Sequence, residues 1–262
     1  MHRVDITNKV IYMIALTAAL AHHSHCSQTD SEQLPFNLWW FAPFLSGGGY
    51  CSEAISFITA LAQRTELAKK LYITPFADSD NPVFYRGLDL KTQSTMKELF
   101  RSPRASARGH VVICHSEPGA WNPPLYSTTP CPPNKYDEAQ YVIGRTMFET
   151  DRLTPEHVKR CNRMNEVWVP SEFHREVFAA AGVERSKLVK MPEPVDVEFF
   201  TPANEPLQLP QGQLVFGSAR PQAASFSFLS IFKWEDRKGW DVLVRLACLS
   251  VNTAPGGGHH VH

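Results

Sequence analysis

The sequence lacks a net charge. Its 262 residues hold 26 lysines and arginines against 26 aspartates and glutamates. That balance removes the general electrostatic argument for nucleic-acid binding. A local basic run, Lys97, Arg101, Arg104 and Arg108, reads as a solvated helix face and loop. The chain also lacks any Asn-x-Ser/Thr acceptor, so secretory exposure gains no support from glycosylation. Its cysteines (Cys26, Cys51, Cys114, Cys131, Cys161 and Cys248) include no pair spaced like a zinc knuckle or a redox motif. Cys114 closes an apolar run and reads as a buried thiol; whether some cysteines pair in an oxidising compartment is left open.

The apolar run from Val10 to Ala21 is short of the ~20 residues that span a bilayer. Arg3 and Lys9 flank its start and Ala19-Leu20-Ala21 offers a cleavage site, so residues 1–33 read as a signal peptide and spacer. An uncleaved anchor with membrane association is the second reading. Either implies the secretory pathway. A hydrophobic fraction of 43% argues against global disorder and allows a sizeable core.

Apolar runs bounded by turn residues then alternate with helical periodicity. Phe36–Ala42, Leu71–Phe76, His110–His115, Tyr141–Phe148, Glu166–Val169 and Lys187–Met191 read as short buried strands. A helix opens at Ser52-Glu53 with Ile55, Ile58, Leu61 and Ala62 on one face. Ser94–Arg101 is a shorter helix candidate. Thr154-Pro155-Glu156 is a helix start, and Ser171 caps a helix whose apolar face is Phe173, Val177, Phe178 and Ala181, stopped by Gly182. Strands alternating with helices predict an α/β fold with a doubly wound, Rossmann-like parallel sheet. Residues 78–89 read as a loop, and Pro118–Tyr136, with its six prolines, as a long surface loop that lines a site.

Several residues point to chemistry. Gly47-Gly48-Gly49 follows the first strand and precedes a helix, where amides point outward and no side chain blocks a phosphate or sugar. No P-loop lysine follows, and the Rossmann glycine spacing is absent. The strand His110–His115 delivers His115 and Glu117 to its carboxyl end, where open parallel sheets bind ligands; His115 reads equally well as a hydrogen-bonded histidine under a loop. Glu149, after the Tyr141–Phe148 run, could cap the next helix with Asp151. Beyond a Pro-, Gln- and Gly-rich linker at 201–225, Phe226–Phe232 reads as a fresh strand. Lys233 and Lys238 follow it, and then a helix with Val242, Leu243 and Leu246 on one face. Residues 250–262 read as a disordered tail, and none of these residues requires a metal.

Phe148-Glu149-Thr150-Asp151, Trp168-Val169-Pro170-Ser171, and Pro194-Val195-Asp196 with Phe199 resemble the end of the N-terminal domain of retaining GT-B glycosyltransferases of family four. The resemblance runs from about Leu38 to about Ala247. It implies an N-terminal, acceptor-side domain at 34–200 and the first βα unit of a donor-binding domain at 226–249, so that the second domain is incomplete. It implies hexosyl transfer from a nucleotide-sugar donor to a glycan, lipid or protein acceptor, with no further cofactor and with weak or no activity in the truncated chain. The alternative is a non-catalytic glycan- or partner-binding module. By the same resemblance, Gly48, Gly49, Lys233 and Lys238 serve the donor diphosphate, and Glu149, His115 and Glu117 face sugar or acceptor. The family counterpart of Glu149 is commonly a histidine, and the family's later Glu-rich donor element has no counterpart here.

Overall fold

A computed structural model describes residues 36–197, 199–205 and 236–245. The expected signal segment, the strand Phe226–Phe232, Lys233 and the tail lie outside the described residues, as do Cys26, Cys248 and most of the linker. The chain divides into two units after Asn204. The first holds one all-parallel sheet built from β1 (Asn37–Ala42), β2 (Leu71–Pro75), β3 (His110–His115), β4 (Tyr141–Arg145), β5 (Glu166–Val169) and β6 (Leu188–Lys190). Its spatial order is β2-β1-β3-β4-β5-β6. The helices between them are α1 (Gly49–Ala62), α2 (Thr65–Ala68), α3 (Pro82–Gly87), α4 (Leu90–Leu99), α5 (Pro155–Arg163) and α6 (Glu172–Ala180). This is the predicted α/β, Rossmann-like arrangement.

The strands read as continuous apolar runs because both faces are covered. Alternate side chains of β1 divide between two cores. Leu38, Trp40 and Ala42 pack with Ala54, Phe57, Ile58 and Leu61 of α1. Trp39 and Phe41 belong to the other core, with Cys161 of α5, Phe178 of α6 and Trp121. Local signals fix the helix starts. The Thr154 hydroxyl accepts from His157 N ahead of Pro155, and the Ser171 hydroxyl accepts from His174 N. Gly182 adopts a φ of 107°, the left-handed stop expected after α6.

Five expectations need correction. The strand at Tyr141 ends at Arg145, and after a last bond from Thr146 N to the Trp168 carbonyl of β5 the chain is irregular through Phe148. α1 begins at Gly49, three residues before Ser52. Residues 82–87 are helical, because the Asn81 side chain accepts from Val83 N and Phe84 N with Pro82 in the first turn. Phe173 is 57% exposed and meets its neighbour His174 edge-to-face instead of entering the core, which Phe178 fills. Finally, Cys114 is not a free thiol. It is joined to Cys131 by a disulfide.

That disulfide changes the character of the connection after β3. Its interior carries Trp121, fully buried, whose ring lies against the backbone of Gly144 in β4. Asn122 donates to the carbonyls of Pro132 and Asn134, and Tyr136 donates to the Asn122 carbonyl at 2.7 Å. The connection is therefore packed onto the sheet through its inner residues, while Pro123, Leu125, Tyr126 and Ser127 stay at the surface. In the second unit, a 3-10 turn at Asp236–Lys238 and Gly239, with a φ of 66°, lead into helical residues 240–245.

A Cβ at position 144 would collide with the Trp121 ring, so Gly144→Ala has to displace a packed tryptophan. We expect a loss of about 1–3 kcal/mol in urea unfolding, the usual cost of overpacking. Cys131→Ser opens the covalent ring and should cost about 3 kcal/mol, the loop-closure scale for a ring of this size. Both losses should be accompanied by a change in tryptophan fluorescence.

Candidate functional site

In this strand order the chain leaves β1 for β2 on one side and returns to β3 on the other. The connections diverge between the carboxyl ends of β1 and β3, and that divergence opens a crevice where parallel sheets take ligands. The glycine loop lies at this edge. Gly47 has a φ of 76°, and a Cβ there would lie 2.9 Å from the Phe84 ring, so both backbone and packing demand glycine. Gly48 stands at the N-cap of α1 with no side-chain cap, and its own amide donates to Ser46 Oγ at 3.2 Å. A Cβ on Gly49 would meet nothing within 4 Å. Across the loop, Ala77 adopts a φ of 75° and donates its amide to Thr128 Oγ1 at 3.0 Å. This unusual turn brings the Asp78 carboxylate beside Gly48, 3.9 Å from where a Cβ would sit.

Glu117 is held on several sides. Its carboxylate folds back over Gly119, which leaves no room for a Cβ there, and Oε2 accepts from Gly119 N at 3.3 Å. His157 Nε2, from the first turn of α5, lies 3.3 Å from Oε2. Tyr126, 41% exposed, lies near the same carboxylate. The His157 bond, with help from Tyr126 and Gly119 N, holds the Glu117 carboxyl below the usual carboxylate range. Burial and the Glu117 charge push the Tyr126 phenol up, so it remains a donor. His157 itself is set by Phe148, whose ring stacks on it at 5.1 Å and whose carbonyl is hydrogen-bonded to His174 Nε2 at 3.0 Å. Tyr50 completes the group. Its hydroxyl donates to the Met147 carbonyl at 2.8 Å, and burial pushes the phenol up to about 12.

His115 lies behind this surface. It is fully buried, as are Arg145 and nearly all of Glu53. Trp40 Nε1 donates to His115 Nδ1 at 3.2 Å, so Nδ1 must be the acceptor nitrogen. His115 Nε2 then carries the hydrogen and donates it to Glu53 Oε2 at 2.9 Å. Arg145 donates Nε to Glu53 Oε1 at 2.9 Å, pairs Nη2 with the same oxygen, and gives Nη1 to the Met191 carbonyl at 2.6 Å. Burial pushes the His115 pKa down. Burial also works against the Glu53 charge, but its bonds and charge pairing with His115 and Arg145 outweigh that and lower its carboxyl pKa. The network is neutral His115 with an ionised Glu53–Arg145 pair.

The remaining expected residues are dispersed. Glu149 is exposed in the connection from β4 to α5. Lys238 closes the 3-10 turn just ahead of the helix in the second unit, and Lys233 lies outside the described residues. Gly48, Gly49 and Glu117 do belong to the crevice edge. Asp78, Tyr50, Tyr126 and His157 complete it and carry no motif. His157 stood in plain view three residues after the Thr154 cap, and Tyr126 in the middle of the proline-rich connection. Among the described residues there is no cluster of three or more metal-ligating side chains, and no helix is long and apolar enough to cross a membrane. Comparison with protein-family models, curated proteins and solved structures finds no match to the chain.

Two outcomes test the buried network. Arg145→Met strands the Glu53 carboxylate and should cost about 3–5 kcal/mol, while Glu53→Leu with Arg145→Met should recover much of that, measured by a double-mutant cycle in urea. The folded pKa of His115 lies below its unfolded one, so unfolding takes up a proton. Its contribution is therefore intact above the ordinary histidine range and is lost as pH falls below about 6.5. Glu53, also depressed, loses its contribution at lower pH, as pH falls below the usual carboxylate range. Urea midpoints from pH 8 to pH 5.5 should fall less steeply in His115→Gln than in the natural chain; equal slopes would contradict the assignment.

Proposed function

We propose that the first unit of the chain is the acceptor-side lobe of a retaining nucleotide-sugar glycosyltransferase. The observation that carries this reading is the Glu117 cluster at the carboxyl edge of the parallel sheet. A partly exposed carboxylate is held there by Gly119 N and His157, with Tyr126 nearby, beside an open glycine loop. A sugar offers hydroxyl donors for such a carboxylate and an apolar ring face for a tyrosine. The signatures that resemble the glycosyltransferase family fit the same picture. Phe148 supports His157, and Ser171 caps the helix whose His174 grips the Phe148 carbonyl.

In this reading the anomeric carbon exchanges its bond to the diphosphate for one to the acceptor oxygen. The developing negative charge on the leaving diphosphate calls for cations and helix-end amides. Glu117 would accept a hydrogen bond from the acceptor hydroxyl and aim its oxygen, the hydroxyl proton passing to the leaving diphosphate, while His115 acts only through the buried network. A second reading, a glycan-binding module without turnover, draws support from the rim. Asp78, Glu117, Tyr50 and Tyr126 are acidic or neutral, and the Arg145 guanidinium is spent on Glu53.

The full chain should be titrated with UDP- and GDP-hexoses by calorimetry and assayed for released nucleoside diphosphate with an oligosaccharide acceptor present. Turnover that drops about a hundredfold in Glu117→Gln supports the transferase. Oligosaccharide binding without nucleotide affinity supports the binding module. Affinity for neither class would refute both.

A further inference from the structure

We propose that Glu117 is a specificity-determining residue that makes the crevice select uncharged sugars over sugars bearing a carboxylate or phosphate, and that His157 is its positioning residue. The inference rests on the glycan reading of the crevice and adds the charge class of the ligand. It also reassigns the glycine loop, which then serves the same uncharged sugar and not a diphosphate.

Three observations carry it. The first is the way Glu117 is held. A side chain that merely capped the 3-10 turn at Pro118–Ala120 would need only the Gly119 amide. Glu117 instead also faces His157 Nε2 from α5 at 3.3 Å, with Tyr126 of the disulfide-closed connection nearby. Gly119 leaves no room for a Cβ, so the carboxylate is seated in a place only glycine could provide. The second is the sign of the surroundings. Asp78 flanks the start of α1, where an external anion would otherwise find the open helix end. Gly48 has already committed its amide to Ser46. Glu117 and Asp78 both act electrostatically on Tyr126, so an anionic ligand reaching Tyr126 would meet like charge from both, which is disfavoured. The third is exposure. The Glu117 side chain is 36% exposed and the Tyr126 residue 41%, so a ligand can reach both.

His157 acts through Glu117. Its Nε2 faces the carboxylate and its Nδ1 is buried with no hydrogen-bond partner, so the hydrogen shared with Glu117 sits on Nε2. The groups around it are Glu117 and Tyr126 from the connection after β3, the Phe148 ring from the connection after β4, and Glu156 and Arg160 on its own helix. Arg160 is occupied by Glu156 and the Pro123 carbonyl. The imidazole thus has one strong polar partner, and its removal frees that partner alone.

The test uses the full chain with three probes: methyl glucoside, glucuronic acid and inorganic diphosphate, followed by ligand-observed NMR at pH 7.5. We expect methyl glucoside to bind at least about tenfold more tightly than glucuronic acid or diphosphate, the scale of one like-charge contact near a surface. Glu117→Gln keeps the shape and should bring the two sugars to within about threefold of each other, mainly by admitting glucuronic acid. His157→Phe should shrink the same ratio while leaving thermal stability near that of the natural chain, a change that a purely structural role would not produce. If the Glu117 variant proves unstable, Gly119→Ala, which displaces the carboxylate, must shrink the ratio in its place. Tighter binding of diphosphate or glucuronic acid, a ratio unmoved by Glu117→Gln, or no binding of any sugar would overturn the proposal. Because no nucleotide is present, failure of the transferase assay leaves this result intact, and failure here leaves that assay open.

Discussion

Everything at the carboxyl edge of the sheet depends on one buried ion pair. Glu53 and Arg145 belong to elements 92 residues apart in sequence, α1 and β4. Moving both charges out of water is costly, and the attraction between them repays that cost only because every remaining group is also matched. His115 supplies the second oxygen of Glu53 with a donor, Trp40 donates a hydrogen bond to the other ring nitrogen of His115, and the Met191 carbonyl accepts from Arg145 Nη1. The result is a rigid joint linking β1, β3, β4, α1 and the exit from β6. A well-packed apolar cluster could stabilise the fold as well. What the ionic version adds is direction, since a fork and a carboxylate meet in few geometries.

That direction is passed outward. α1 begins at the glycine loop, so fixing Glu53 in its second turn fixes where Gly48 and Gly49 lie. The Tyr50 hydroxyl is tied to Met147 and Thr146 at the exit from β4, which sets the connection that carries Phe148. Phe148 in turn supports His157, and His157 holds Glu117. The accessible carboxylate is therefore the end of a chain of contacts that starts in the core. A crevice assembled this way is preorganised, so a ligand need not supply the free energy of arranging it.

The sheet was legible in the sequence because buried parallel strands announce themselves as short apolar runs, and the helix starts because Thr154-Pro155 and Ser171 are local signals. Glu117 was legible as the residue delivered past the end of β3. The ion pair was present but unread: Glu53 in an apolar helix and Arg145 in an apolar strand are the kind of interruptions that pay for themselves only with a partner. Asn81-Pro82 signalled a helix that the polar composition of its neighbours masked. The disulfide, Tyr126 and His157 were out of reach for a different reason. Their meaning lies in contacts across the fold, and neither spacing nor periodicity encodes those.

The bond between Cys114 and Cys131 closes the connection after β3 into a ring anchored on a central strand. Trp121 fixes the inner side of this ring, while Leu125 and Tyr126 point outward from it. Its outer residues can be exchanged without asking the sheet to move, as in a binding loop grafted onto an immunoglobulin frame. The scaffold therefore offers a ready-made cassette for directed evolution, in which a short randomised segment between two fixed ends would reshape what is recognised and leave the supporting architecture alone.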